Sequence, residues 1–539
     1  MAINLLDIPE ELHIHILSYL DAFSLIHCAM TNKSLYKTFK TSSQLEYVVQ
    51  LHLDGLEGTG TRGTQSYSEL ISRLLRRRQA WILPEWNQMT TIHMQYENHA
   101  YELIGDVFMN SDRHQHLETV WLPTSNRQNV LRVDRALHGM EARDMTMDPT
   151  QDVVVILDSE GEIPLSVTTP RTIRLHIRTI STHDVHPLAR LSTLECFVYP
   201  CLSGNTIRKP RLQIEGNTLL VSFCSSAASY QMRALIWDWT TSELLLVCQL
   251  ITFSFFTDLT TLQDSSKPTF DPMLSFLIYE ITLLNSMFFY VNMLSDSGSI
   301  QIFKLAESRS ISDPPIHLAT LRLPPTHHNI NIRFSSHTGP IAVHGLPHES
   351  PVIQVNARGR LHVFNMIYSS YSDRAFMLLN TFLHQHILLT YCEKGERRGA
   401  GPPLDIPWDT WGPPNTRIIQ RARTQANWSR YVHGQRVVLQ GREANYDGED
   451  RLNYVEVLDF SPAAVSSVGC SSLMSLSSNR FSKVQRGVFL VNDLETHLPC
   501  VSTVRDLRRS YLWYMINVDS IVCAWMNDKE SISLNVYTI

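Results

Sequence analysis

Four histidine pairs are the first residues in this chain whose type and spacing suggest chemistry: His13/His15, His114/His116, His327/His328 and His384/His386. On a strand, side chains at i and i+2 share a face, and two imidazoles joined by a third His or a carboxylate could hold zinc. His13 and His15 stand in a stretch of helical period, where i and i+2 diverge. No HExxH, CxxC or third-ligand spacing accompanies any pair, so neither a metal nor another cofactor is expected. Gly58-Thr59-Gly60-Thr61-Arg62-Gly63 satisfies GxGxxG, which in a βαβ unit would set a pyrophosphate against a helix N-terminus. Helical period precedes it and a β-rich texture follows, so an interhelical loop is the better account. A GxSxG nucleophile elbow, a P-loop and a kinase signature set are all missing from the sequence. Asp and Glu are scattered among turns, where capping is their expected role. No catalytic chemistry is expected.

Two further motifs suit binding. Arg76-Arg77-Arg78 could hold a phosphate or an acidic peptide, but the expected role is a solvated helix end whose charge complements the dipole. Trp408 and Trp411, in a loop rich in Pro and Gly, could anchor a protein substrate or plug one end of the domain around them. Both readings stay open.

Composition narrows the class. The chain has 539 residues, 46 basic and 52 acidic side chains and a net charge of −6, which gives no support to nucleic-acid binding. A hydrophobic share of 43% with 18% charged residues is that of a soluble globular protein. Nine cysteines without a CxxC pair read as free thiols in a reducing compartment, the cytoplasm or nucleus. The N-terminus shows no basic region followed by an apolar core. Asn32-Lys33-Ser34 and Asn427-Trp428-Ser429 are then expected to stay unglycosylated. Residues 273–294 are long enough to span a bilayer, but Glu280, Asn285 and Asn292 interrupt them, and their aromatic and β-branched content suits buried strands. No membrane association is expected.

The N-terminal elements are the clearest. Asp7 and Glu10 have capping-box spacing, with Pro9 in the first turn. Leu12, Ile16, Leu17 and Leu20 recur at i, i+4, i+5 and i+8, the pattern of an amphipathic helix. Asp21 is placed to cap a second helix carrying Leu25, Ile26, Ala29 and Met30, and Asn32 a third carrying Leu35 and Phe39. Three such helices are too little chain to bury their own apolar faces, so a partner or the following domain must help.

These residues resemble an F-box. The resemblance implies docking onto the Skp adaptor of cullin–RING ubiquitin ligases, with Ile8, Pro9, Leu12, Ile16, Leu17, Leu20 and Leu25 as the contacting positions. Two positions depart from the pattern: Ala22 replaces a frequent Pro, and Leu35 a frequent aromatic, with Tyr36 beside it.

Residues 43–56 continue in helical period, and residues 67–81 form another amphipathic stretch. From about residue 95 the texture changes to short alternating runs between Gly, Pro, Asn, Asp and Ser, on the order of twenty strands. They include residues 153–157, 172–177, 218–223, 234–239, 299–305, 360–366, 453–460 and 531–537. A loose repeat favours a propeller over a sandwich or barrel. Its members are Arg233 to Trp239, Gly298 to Phe303, Gly359 to Phe364 and Asn453 to Asp459. Their spacing, about 60 to 90 residues, exceeds the usual about 40 to 50 of a blade.

The whole chain resembles fungal, mostly basidiomycete, F-box proteins with a helical connector and a divergent WD-like region. The matching pieces, in order, are Ser43 to Tyr47, Arg76 to Trp81, Asp144 to Pro149, Leu235 to Trp239, Ile406 to Arg417 and Val455 to Pro462. Residues 256–292 fit this rhythm worst, as a lineage-specific insertion or an imperfect gene model would each explain. The expected architecture is an α + β multidomain protein. An F-box spans 1–42, a helical connector 43–95, and a large all-β domain 96–539, an irregular β-propeller. The implied function is a substrate receptor of a Skp–cullin–F-box ubiquitin ligase, partnered by the adaptor, through it a cullin, and a protein substrate. The alternatives are an adaptor-binding scaffold outside any ligase, and a propeller enzyme with an incidental helical N-terminus.

Overall fold

The computed structural model describes residues 8–58, 65–83, 86, 88–96, 99–124, 128–137, 139–159, 171–198, 210–224, 231–251, 278–294, 297–308, 313–327, 330–340, 353–370, 376–399, 401–421, 430–444, 450–467, 481–484, 493–507, 509, 511–526 and 531–539. Five helices come first: α1 (Glu10–Leu17), α2 (Ala22–Thr31), α3 (Lys33–Thr41), α4 (Ser43–Leu53) and α5 (Tyr67–Ile82). Short polar residues start four of them by accepting a hydrogen bond from an otherwise orphaned backbone N–H. Asp21 accepts from Ser24 N at 3.0 Å, Asn32 from Ser34 N at 2.7 Å, and Ser42 from Leu45 N at 3.4 Å. The full capping box belongs to α5, where Ser66 and Glu69 bond reciprocally. At α1, Pro9 is itself the N-cap, so the helix starts two residues later than a cap at Asp7 implies, and Asp7 lies outside the described residues.

Leu17, Leu25, Leu35 and Leu45 meet in one small core, with Ile14, Leu20, Cys28, Phe39, Val48 and Val49 packed on it. Three helices indeed do not close this core alone; Leu45 of α4 completes it. The next turn of α4 serves a second cluster, in which Tyr47 and Leu51 pack with Leu70, Ile71 and Leu74 of α5 and with Val355 and Val518 of the β domain. One helix therefore belongs to both cores and ties them together.

The β domain is a ring of seven four-stranded antiparallel sheets. Blade 1 holds Ala100–Ile104, Val107–Ser111, His116–Trp121 and Leu131–Ala136; blade 2 holds Ala142–Asp148, Val153–Ser159, Arg171–Thr179 and Thr193–Val198. Blade 3 holds Arg211–Glu215, Thr218–Cys224, Gln231–Asp238 and Glu243–Ile251. In blade 4 the strands are Ile278–Leu283, Phe288–Met293, Ser299–Lys304 and Ile316–Arg322, with Leu404–Ile406 added in parallel to the last. Blade 5 comprises Ile330–Thr338, Leu361–Ser370, Phe376–His384 and Thr416–Arg421, and blade 6 Val432–His433, Arg436–Ala444, Asp450–Asp459 and Val501–Asp506. Blade 7 takes three strands from the C-terminus, Trp513–Ile516, Ser520–Met526 and Ile532–Thr538. Its fourth is Gln88–His93, paired antiparallel with Ile532–Thr538 from Gln88↔Thr538 to His93↔Ser533. The ring is closed by a strand that the sequence reading had left inside the helical connector.

Face-to-face packing explains why several strands are apolar on both sides. Along Val153–Ser159, Val153, Val155 and Leu157 face the blade 3 cluster, while Val154 and Ile156 face that of blade 1. All eight runs read as strands from the sequence are blade strands. The uneven repeat also has a cause. Blade 5 carries helix α6 (Gln385–Arg398) and helix α7 (Trp408–Asn415) between its third and fourth strands, and blade 6 carries helix α8 (Pro462–Ser467) and the hairpin Ser482–Val484/Leu494–Thr496. Within the stretch 273–294, Ile278–Leu283 and Phe288–Met293 form an ordinary blade hairpin. No described helix is long and apolar enough to cross a membrane. Residues 252–277, most of the suspected insertion, lie outside the described residues, as do residues 59–63 of the glycine motif, His328 and the second sequon.

Candidate functional site

The helical unit turns an apolar face outward. Leu12, Ile16 and Tyr19 around α1, Phe23, Ile26 and Met30 on α2, and Tyr36 on α3 are all exposed large hydrophobics. Exposed apolar side chains this dense over three short helices mark a partner surface. Its geometry follows from helical period. On α2, Ala22, Leu25 and Ala29 point into the core, so Phe23, Ile26 and Met30, at i, i+3 and i+7 and each one residue later, share the flank about 100° round the helix.

The positions implied by the resemblance divide accordingly. Leu12 and Ile16 are 49% and 44% exposed, Pro9 is exposed, and Ile8 and Leu20 are half-buried. Leu17 and Leu25 are 3% and 0% exposed and lie inside the four-leucine core, so they shape the face from behind. The listing Leu12, Ile16, Leu17, Leu20 mixed two sides of one helix. Tyr19, Phe23, Ile26, Met30 and Tyr36, which the sequence reading did not place among the contacting positions, are exposed beside Leu12 and Ile16; separating the inward from the outward apolar set of each helix would have found them.

The face is held rigidly. Phe23 meets His52 of α4 edge to face, with ring centroids 4.8 Å apart. Hydrogen bonds from Ser24 hold the Asp21 carboxyl below its usual range, and burial lowers the His52 pKa against the opposing charge of Asp21. Behind it, α4 and α5 are clamped together and to the propeller. Arg78 bonds Asp54 at 2.9 Å and Gln50 Oε1 at 2.9 Å; Arg77 donates to Val518 O at 2.8 Å and pairs with Asp519 at 2.8 Å. Trp81 donates to Val518 O at 3.2 Å and lies under the Arg436 guanidinium, 4.8 Å from its ring. This corrects the reading of the arginine run as a solvated helix end. The helix continues to Ile82, Arg76 is exposed, Arg77 is spent on the contact with the propeller, and Arg78 ties α5 to α4 and its C-cap.

A short strand, Leu56–Gly58, extends the clamp by pairing with Ile353–Val355, between the first and second strands of blade 5. Gly55, at φ +67°, makes the turn into it; a Cβ there would lie 2.6 Å from Gln435 Cδ, at the first turn of blade 6. All these contacts fall at the end of the ring formed by the turns between first and second strands. The opposite end carries the connections between second and third strands and between blades, and much of it falls outside the described residues.

The tryptophan loop is not a binding face. Trp408 and Trp411 are 3% and 1% exposed, pack edge to face with centroids 5.1 Å apart, and belong to the core under blades 4 and 5. Trp411 Nε1 donates to Arg322 O at 2.8 Å. Two aromatics in a Pro/Gly-rich stretch looked like anchors because the sequence did not show the helix α7 that turns them inward.

Buried glutamates on the first strands of blades 1, 3 and 4 are matched by guanidiniums. Arg360 pairs with Glu215 at 2.5 Å, Arg430 with Glu102, and Arg211 with Glu280, in each case a guanidinium against a buried carboxylate. A cleft of 290 Å³ opens at the helical end between blades 1, 2, 3 and 5, lined by Asp148, Gln151, Glu215 and Gln354 among others. Its acids are engaged, Asp148 by Thr150 and Gln151 and Glu215 by Arg360. Burial pushes the Cys248 and Cys392 thiols up to about 12 and Cys500 to about 11, away from reactive thiolate. Among the described residues no three His, Cys, Asp or Glu side chains group as metal ligands. His116 bonds Asp112 at 2.8 Å and His384 bonds Gly359 O at 3.0 Å, so both serve local structure.

Comparison with known proteins agrees with the helical part. The F-box domain family matches residues 5–46. No curated protein compared matches the chain in sequence. Among solved structures, the designed Ika8 protein aligns at 9% identity and TM-score 0.29, over 83% of this chain and 98% of that one. The WD40 domain of SCAP from fission yeast aligns at 8% identity and TM-score 0.32, over 84% and 98%. The polysaccharide lyase Uly1 aligns at 6% identity and TM-score 0.34, over 82% and 90%. The chain thus joins an F-box domain, through clamped connector helices, to a seven-bladed β-propeller.

Proposed function

We propose that this chain is a substrate-receptor subunit of a Skp–cullin–F-box ubiquitin ligase, working in the cytoplasm or nucleus and doing no chemistry itself. The observation that carries the reading is the F-box match at residues 5–46 combined with the outward apolar face of Leu12, Ile16, Tyr19, Phe23, Ile26 and Met30. A Skp-type adaptor covers that face by helix-in-groove burial and brings a cullin with it. The propeller, at the far end of the clamp, holds a protein substrate and keeps its lysines near the ubiquitin thioester. Rigid linkage matters because proximity is the whole catalytic contribution of such a subunit. The resemblance to fungal F-box proteins with a WD-like region belongs to this proposal and rests on the ordered motifs above.

The test is affinity purification of the full chain beside an Ile16→Asp variant, scored for adaptor and cullin. Ile16 is half-exposed in the free chain, so the variant folds, and a carboxylate pressed into an apolar groove costs several kcal/mol. Wild type should bring down both subunits and the variant neither. Adaptor without cullin would favour a scaffold outside any ligase; neither subunit with folded wild type would overturn the proposal.

A further inference from the structure

Helix α3 carries a charge pattern unlike the rest of the chain. Three of the nine lysines in the sequence, Lys33, Lys37 and Lys40, stand on this nine-residue helix. Their spacing, i, i+4 and i+7, puts them on one side. All three are exposed, and none makes an ion pair among the described residues. Elsewhere basic side chains are commonly matched, as at Arg77, Arg132, Lys304, Arg360 and Arg430. No acidic residue occurs between Asp21 and Glu46. At the C-terminal end of the helix Glu10 accepts from Thr41 Oγ1 at 3.2 Å. Tyr36, 50% exposed, lies in the stripe with the Lys40 ammonium 5.8 Å from its ring centroid. The stripe therefore borders the apolar face, and its sign opposes the net charge of −6 of the whole chain.

An all-cationic edge beside an apolar docking face fits a partner with carboxylates along the matching edge. We infer that Lys33, Lys37 and Lys40 steer and orient the adaptor by facing an acidic rim of its groove. The inference rests on the proposed adaptor binding and adds to it how the partner is selected. Buried apolar contacts hold the complex, while the exposed lysines act on encounter, before water is excluded. Such charges govern association rate and salt dependence more than the lifetime of the complex.

The experiment measures association and dissociation rates of a purified Skp-type adaptor with the full chain. Wild type, Ile16→Asp and the triple variant Lys33→Glu/Lys37→Glu/Lys40→Glu are compared between about 0.05 M and about 0.5 M salt. The triple variant should associate at least about tenfold more slowly at low salt, dissociate at nearly the wild-type rate, and approach wild type as salt rises. A triple Lys→Gln variant should shift the same way by less, which guards against misfolding of the reversed-charge protein. If Ile16→Asp abolishes binding while the triple variant matches wild type at every salt concentration, the steering inference is overturned and the receptor proposal stands. If wild type fails to bind the adaptor, both fall. If the triple variant keeps its adaptor rates but loses binding to anionic phospholipid vesicles, the stripe reads a membrane surface instead and the inference is overturned.

Discussion

Two neighbouring residues of α1 should give opposite results when changed to the same side chain. Leu17 is 3% exposed and sits among Leu25, Leu35 and Leu45. Leu17→Asp removes a buried aliphatic worth about 2–5 kcal/mol and leaves a carboxylate with no cation in that core, which costs several kcal/mol more. A helical unit of this size has only about 0.05–0.15 kcal/mol of stability per residue, so α1 to α3 should unfold. Ile16, one residue away and 44% exposed, already has much of its surface in water, and Ile16→Asp should cost the free protein about 1–2 kcal/mol. The assay pairs limited proteolysis with far-ultraviolet dichroism on both variants. Leu17→Asp should be cut within residues 10–41 under conditions that leave Ile16→Asp intact, while the propeller of both stays resistant. Both should lose the adaptor, one by unfolding and one by a damaged surface. Equal resistance of the two variants, or cleavage of Ile16→Asp first, would refute the assignment of the two faces.

A fragment starting at residue 83 keeps the closing strand Gln88–His93 and should fold into a soluble ring, whereas one starting at residue 96 uncovers the Ile532–Thr538 edge and should aggregate; equal solubility and cooperative melting of the two would count against closure by this strand. Buried His183, His362 and His384 have pKa values lowered to about 4, about 3 and about 4. Below about pH 6.5 the unfolded chain binds protons that the native one refuses, so stability should fall by about 1.4 kcal/mol per pH unit for each, and stay level above it. Urea midpoints at pH 7.5 and 5 check this, and His362→Gln should flatten the slope. Gly412→Ala would place a Cβ 2.3 Å from Trp408 Cε3 and should lower stability by about 1–3 kcal/mol, read as a lower melting temperature, while adaptor binding persists.

Local chemistry made much of this protein legible in its sequence. Asp21 and Asn32 cap the helices they precede because a short acceptor before an apolar period has few other uses. Alternation revealed Thr218–Cys224 and Ile532–Thr538 as strands, and the continuous apolar run at Val153–Ser159 needed only a second packed face to explain it. Helical leucines at the N-terminus showed three short helices with more apolar face than they can bury among themselves.

What depends on contacts between distant residues was decided only by the fold. Period alone separates two sides of a helix without saying which one the next helix covers, so Leu17 and Leu25 could not be told from Leu12 and Ile16 until Leu45 closed the core. Arg77 and Arg78 read as a solvated run because their partners, Asp54, Val518 and Asp519, come from another helix and from the far end of the chain. Gln88–His93 carries no mark of the blade it completes, since its pairing strand lies more than four hundred residues away. A strand's partner is set by the hydrogen-bonding edge left open when the ring forms, and that edge exists only in three dimensions.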